Sequence, residues 1–274
     1  MKLKNITLAL ASIGLASVFS SASAVVISGA GGTIDIPTGV TLSVASVFET
    51  GINAVGQELR GYGEISQING APTASYCSAA CELTYRFTNY TTTSVTADQA
   101  RFSGGLVNVY LGFGANNDLN PFTSASSAAD IAAATNGTLF LTLTGHQLDA
   151  LGNTLAAEGS NLLISPAFFG NGLLDVTGGA AGANFNTNSI AALFGGPADI
   201  SFTSDGNTLA PPPHSMAACN SGGLFGTGGQ VRGESCISGG AAFRGLVRQV
   251  PEPGSVALLG LGLIGLVAGV KRRR

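Results

Sequence analysis

The stretch Leu106-Val107-Asn108-Val109-Tyr110-Leu111-Gly112-Phe113 decides the class of the fold. Read with a period of two, it sets Val107, Val109, Leu111 and Phe113 on one side, the pattern of a strand with one buried face. The alternation recurs on both flanks. Leu83-Thr84-Tyr85-Arg86-Phe87-Thr88 places Leu83, Tyr85 and Phe87 together, and Thr138 to Thr144 does the same with Leu139, Leu141 and Leu143. Thr41 to Phe48, Ile200 to Phe202 and Ala242 to Val250 extend the series. Asn69-Gly70, Asn136-Gly137, Gly178-Gly179, Gly195-Gly196-Pro197 and Gly222-Gly223 supply turns between the runs.

Helical signals are few. Ser126 to Thr135 is Ala-rich, and Ser189 can cap a turn from Ile190 to Phe194 before Gly195 ends it. Asn153 to Asn188 reads as a long surface excursion, and Ala210-Pro211-Pro212-Pro213-His214 as a stiff exposed loop. With 40 glycines in 274 residues and only 10% charged residues, the chain suits a turn-rich exported β protein. Its 14 Phe and five Tyr are enough to form a core. The expected fold is mainly β, an antiparallel β-sandwich or jelly-roll-like domain with short helical insertions.

Both ends read as addresses. Lys2 and Lys4 precede an apolar run from Ile6 to Phe19, and Ala22-Ser23-Ala24 has the form of a signal-peptidase site. Cleavage after Ala24 makes residues 1–24 a signal peptide and 25–249 the exported β-rich domain. At the other end lies Gly260-Leu261-Gly262-Leu263-Ile264-Gly265, with the spacing of a nucleotide-binding glycine loop. That loop requires a strand before it, and a crossover and an acidic residue after it. The nine residues that follow Gly265 contain no acid. The glycines belong instead to an uncharged run, 254–270, closed by Lys271, Arg272, Arg273 and Arg274. At about 1.5 Å per residue this run spans a thinned bilayer as a transmembrane helix, with the basic tail held in the cytoplasm.

Val250-Pro251-Glu252-Pro253, a Gly-rich apolar helix and an Arg-rich end, in that order, resemble the PEP-CTERM sorting signal of Gram-negative bacteria that make exopolysaccharide. The resemblance covers residues 250–274. It implies an exosortase that recognises the Pro-Glu-Pro element, removes the helix and tail, and passes the protein to the cell surface or matrix. Export machinery and signal peptidase would be the other processing partners, and the C-terminal helix a transient inner-membrane anchor. The two prolines suit presentation to a membrane enzyme, because they deny the segment a helical hydrogen-bond pattern.

Between Val25 and Pro253 there are six arginines, no lysine and all 15 acidic residues, a formal charge of −9. This excludes the basic footprint that nucleic-acid binding needs. It also disfavours adsorption to anionic lipid, while permitting cation-mediated association with acidic polymers.

Cys77, Cys81, Cys219 and Cys236 form an even set in an exported chain, which points to disulfides. Proximity favours Cys77 with Cys81 and Cys219 with Cys236. The rival is a structural zinc site that also draws on His214, against which stands the wide spacing of the second pair. The expectation is no metal and no cofactor.

Catalytic constellations are thin, and no catalytic residue is assigned. There is no G-x-S-x-G elbow. His146 reads as the end of a strand. Glu49, Glu58, Glu64 and Glu82 could supply carboxylate pairs for glycoside hydrolysis, but an acidic domain offers such pairs by chance. Asn116-Asn117-Asp118-Leu119-Asn120 is oxygen-rich without EF-hand spacing and reads as a turn.

The run from Leu59 to Gly70, followed by Tyr76-Cys77 and by Cys81 to Phe87, resembles the N-terminal part of flocculation-associated PEP-CTERM proteins. That resemblance implies a non-enzymatic surface or matrix protein that promotes flocculation or biofilm aggregation together with exopolysaccharide. The alternative is a secreted glycan-active enzyme, or a carbohydrate-binding module with Tyr62, Tyr76, Tyr85 and Tyr90 as stacking faces.

Overall fold

Among the described residues of this computed structural model (24–209, 211–219, 224–225 and 235–250), twelve strands form. They are β1 (Val25–Gly29), β2 (Gly32–Ile36), β3 (Gly39–Glu49), β4 (Glu58–Ile68), β5 (Ala71–Pro72) and β6 (Cys81–Val95). β7 (Gln99–Phe113), β8 (Thr138–His146), β9 (Asn153–Ser160), β10 (Ala167–Gly178), β11 (Ile200–Asn207) and β12 (Ile237–Leu246) complete the set. Three short α-helices interrupt them, α1 (Ser127–Ala134), α2 (Gly182–Phe185) and α3 (Pro213–Ala218), with 3-10 turns at Thr73–Tyr76 and Gly114–Asn116.

The main sheet runs β3-β4-β6-β7-β8-β10-β11-β12, and β12 pairs back onto β3, so the sheet closes. Every pairing is antiparallel, and apart from the small strands β5 and β9, neighbours on the ring follow one another in the chain. This is an up-and-down barrel of eight positions. The expected sandwich or jelly roll is corrected: those folds need Greek-key connections between two sheets, whereas here simple hairpins go round one sheet until its ends meet. Register shifts in the β3–β4, β12–β3 and β6–β7 ladders add the local bend that closure requires.

One position of the ring is shared by two strands. β8 lies between the second half of β7 and the end of β10, while β9 lies between the first half of β7 and the start of β10. β8 and β9 thus act as one strand broken by the excursion at 147–152. Strands β9 and β10 occupy much of Asn153–Asn188, so the expected surface excursion there is corrected; the inward parity of Leu155, Ala157, Leu174 and Val176 makes it barrel wall.

The β1–β2 hairpin packs across the end of the barrel where β6 begins and β7 finishes. Ile34 and Ile36 are fully buried there, Ile34 bridges to Cys77, and the turn glycines lie against Leu111 and Phe113. At the opposite end the β3–β4 and β9–β10 loops form the rim.

The helix expected over 126–135 is present as α1, with Ser126 Oγ accepting from Ala129 N at 3.2 Å. No helix follows Ser189; Ile190 instead bridges to Ala198. Pro211 and Pro212 are buried and lead into α3, so the stiff exposed loop expected there is corrected. Leu139 faces outward and Phe140 is buried, the reverse of the expected parity, because the β7–β8 register slips between Val109 and Tyr110.

Residues 1–23 of the expected signal peptide, Ala22 among them, and all residues from Pro251 onward lie outside the described residues, as does the expected transmembrane helix 254–270. No helix among the described residues is long and apolar enough to cross a membrane.

Candidate functional site: the barrel interior and its outer clamp

Strand β4 carries the sequence Leu59-Arg60-Gly61-Tyr62-Gly63-Glu64, and its alternation builds two sites at once. On the inner face, Gly61 pairs with Glu49 and Phe87, and Gly63 pairs with Val47 and Tyr85. A Cβ at Gly61 would lie 2.6 Å from Phe87 Cζ, and one at Gly63 would lie 2.8 Å from Tyr85 Oη. The two glycines therefore let interior aromatic rings lie flat against the backbone. On the outer face, Tyr62 points beneath α1.

The interior is mostly apolar, with Glu49, Thr50, Tyr85 and Ser204 among the polar groups in its wall. Toward the rim it holds a cavity of about 60 Å³ whose wall includes Phe102, Leu155, Phe202 and Phe243 together with Glu49 and Tyr85. Glu49 and Tyr85 are 5% and 1% exposed, and Glu49 Oε1 and Tyr85 Oη have no hydrogen-bond partner. Burial pushes the Glu49 carboxyl up to about 8, and the nearby Asp205 charge adds to the rise. Burial, then the neighbouring Glu49, hold the Tyr85 phenol well above its ordinary range. At neutral pH both groups are hydrogen-bond donors in a mostly apolar wall.

Outside the barrel a polar clamp fastens α1 and α3 to β4. Tyr62 Oη donates to Asp130 Oδ2 at 2.6 Å and contacts Ser235 Oγ at 2.7 Å. His214 Nε2 lies 2.8 Å from Asp130 Oδ2, Ser215 Oγ lies 2.9 Å from His214 Nδ1, and Ser127 Oγ lies 2.9 Å from Ser235 Oγ. Asp, His and Ser occur here in triad order, but the serine is the histidine's chain neighbour and is buried under Ser127. A nucleophile needs an open face; this arrangement is built to hold segments together. The adjoining disulfide Cys219–Cys236 ties the end of α3 to the residue after Ser235.

The other expected residues disperse. Glu58 pairs with Arg60 at 3.4 Å on the surface. Glu64 and Glu82 are neighbours on the outer face. Burial pushes Glu82 up to about 7 against the opposing Leu119 and Asp118 amides, with Glu64 and Asp118 adding to the rise. The Asn116–Asn120 turn caps this carboxylate, Leu119 N donating to Glu82 Oε2 at 3.2 Å. Glu49 lies inside the barrel, apart from all of them. Tyr62, Tyr85 and Tyr90 are buried, so they offer no stacking face; among the four, Tyr76 alone is partly exposed.

All four cysteines form the expected pairs, Cys77–Cys81 and Cys219–Cys236, which sets the zinc alternative aside. No group of three or more His, Cys, Asp or Glu side chains able to hold a metal occurs among the described residues. His146 does end a strand, β8. Its Nδ1 lies 2.8 and 2.9 Å from the Asp175 oxygens and its Nε2 lies 2.8 Å from the Phe194 carbonyl.

Glu49 and Tyr85 lie 36 positions apart in the chain, and nothing local in the sequence joins them. The signal for Glu49 is parity: it follows Val47 by two, so a carboxylate continues an inward apolar row. The Asp130–His214 clamp left no local signal, since its members are 84 residues apart.

No curated protein and no solved structure matches the chain. Residues 249–274 match the model of the PEP-CTERM protein-sorting motif, beginning three residues after β12 ends at Leu246. The chain thus carries a PEP-CTERM sorting signal directly behind a closed β-barrel, the mark of a protein exported and processed by an exosortase.

Proposed function

We propose that this protein is a non-enzymatic component of the cell surface or extracellular matrix, delivered by exosortase processing, that promotes flocculation or biofilm aggregation with exopolysaccharide. The observation that carries the reading is the attachment of the sorting signal to a closed, disulfide-stapled barrel with a lysine-free acidic sequence. Closure removes the free edges of the main sheet, which limits strand-to-strand aggregation when the domain is displayed at high density. Its acidity supports cation-bridged contact with acidic polysaccharide rather than adsorption to lipid. Burial of Tyr62, Tyr85 and Tyr90 counts against a carbohydrate-binding module that stacks sugars on these rings.

Two measurements test the proposal. Deleting the coding sequence should disperse cell aggregates while secreted polysaccharide persists; unchanged aggregation overturns the matrix role. The intact mass of surface-extracted protein should lack residues 1–24 and the segment after Pro253. A mass that retains 254–274 points to a simple anchor instead.

A further inference from the structure

The barrel interior contains more than a filled core requires. Eight-stranded barrels either fill their centre with side chains or hold one small ligand. Here the small residues Gly170, Ala100 and Ala157 in its wall leave about 60 Å³, several times what one water needs. Apolar voids are expected to be lined by apolar groups alone, and buried polar atoms are expected to be paired. Glu49 Oε1 and Tyr85 Oη break the second rule within the same cavity, each more than nine-tenths buried. An unpaired polar pair in a mostly apolar wall, which also carries Thr50 and Ser204, is the arrangement of a binding pocket, in which apolar surface supplies affinity and a few convergent groups fix orientation.

The route in is also marked. The β1–β2 hairpin covers one end of the barrel. The cavity lies toward the other, where Ile52, Leu162 and Pro166 from the rim loops form part of its lining. Those loops carry exposed apolar side chains, Val55 at 63% and Ile164 at 77%. An apolar rim lets a poorly soluble molecule shed water before it enters.

We infer that the barrel interior is a binding site for a small, predominantly apolar molecule with a single uncharged oxygen head, the class of short-chain alcohols and ketones, whose head is held by Glu49 and Tyr85. Both side chains donate at neutral pH, so an oxygen acceptor satisfies them together. Phe102, Leu155, Phe202 and Phe243 enclose the apolar tail. This inference rests on the cavity alone and does not depend on the matrix role.

The test follows the methyl NMR signals of Val107 and Leu155, which line the cavity, in the full chain held in lipid nanodiscs. The probes are ethanol and 1-propanol, the sizes that about 60 Å³ admits, with propane as the headless control. Saturable shifts are expected for the alcohols at these two residues. Glu49→Met and Tyr85→Phe, which remove the donors, should each weaken 1-propanol binding about 10-fold, the worth of a lost buried hydrogen bond, and leave propane binding unchanged, which also shows that the variants remain folded. Ala157→Leu, which fills the cavity, should abolish saturation by every probe while the rest of the spectrum is retained. Shifts that never saturate, or that persist in Ala157→Leu, overturn the site. Alcohol binding unaltered in both polar variants overturns the assignment of Glu49 and Tyr85 as the head-group contacts.

Discussion

Tyr62 Oη donates to Asp130 Oδ2 at 2.6 Å and joins β4 to α1 across 68 positions of the chain, with both side chains buried. Asp130 Oδ1 has no partner, so the carboxylate depends on Tyr62 and His214 through its other oxygen. Tyr62→Phe should therefore destabilise the domain by about 1–3 kcal/mol, read as a lower urea midpoint. Tyr62→Phe combined with Asp130→Asn should lose less than the two single losses added together, because the groups share one network. Additive losses would mean that the hydrogen bond contributes nothing.

His146 is held from both ring nitrogens, by Asp175 and by the Phe194 carbonyl, and a histidine can donate from both only when protonated. Burial alone would lower its pKa. The hydrogen bonds to Asp175 and Phe194, with the Asp175 charge, outweigh burial and raise it above the ordinary 6.5. A raised pKa contributes stability that is full below 6.5 and is lost as pH rises through the folded value. Amide exchange in the 188–198 loop should accelerate as pH rises through this range, beyond its intrinsic pH dependence. His146→Gln should remove that excess.

Glu49 gives a second pH dependence of the same sign. Its carboxyl is raised from 4.5 to about 8, so between these values the folded state holds a proton that the unfolded chain has released. Its contribution to stability should fall steadily as pH rises across that window, by on the order of a few kcal/mol in total. Urea midpoints of the wild type minus those of Glu49→Gln, taken at pH 5 and pH 8, isolate the term. An equal difference at both values would show that the carboxyl is not buried as a neutral acid.

Gly61 and Gly63 give the interior rings their room. Gly63→Ala places a methyl against Tyr85 Oη and the Ser46 carbonyl, and backbone cannot yield as a side-chain end can. The expected loss is at least the ~1–3 kcal/mol of an overpacked core, measured by thermal unfolding. Gly39→Ala, with nothing within 4 Å of the added carbon, is the matched control and should stay close to the wild type.

The alternation around Leu83–Thr88 and Leu106–Phe113 announced strands, and these became β6 and β7, the longest in the barrel. β4 and β10 were harder to read. Glycine at 61, 63, 170 and 172 replaces the apolar residues that mark an inward face, so alternation is present in the structure and nearly silent in the letters. Closure was not legible either. A sandwich and an up-and-down barrel use the same period-2 strands and the same turns, and they differ only in whether β12 finds β3 or another edge. The cysteine pairs were legible because short separations favour them.

The amino-acid sequence by itself determined that the domain is mainly β, the helix within 126–135, the disulfide pairs and the sorting signal, because each depends on residues close together in the chain. Tertiary structure alone decided that the sheet closes, that Glu49 and Tyr85 share one cavity, and that Asp130 meets both Tyr62 and His214. Those relationships depend on long-range pairing and on where glycine withholds a side chain. Local propensity carries no record of either.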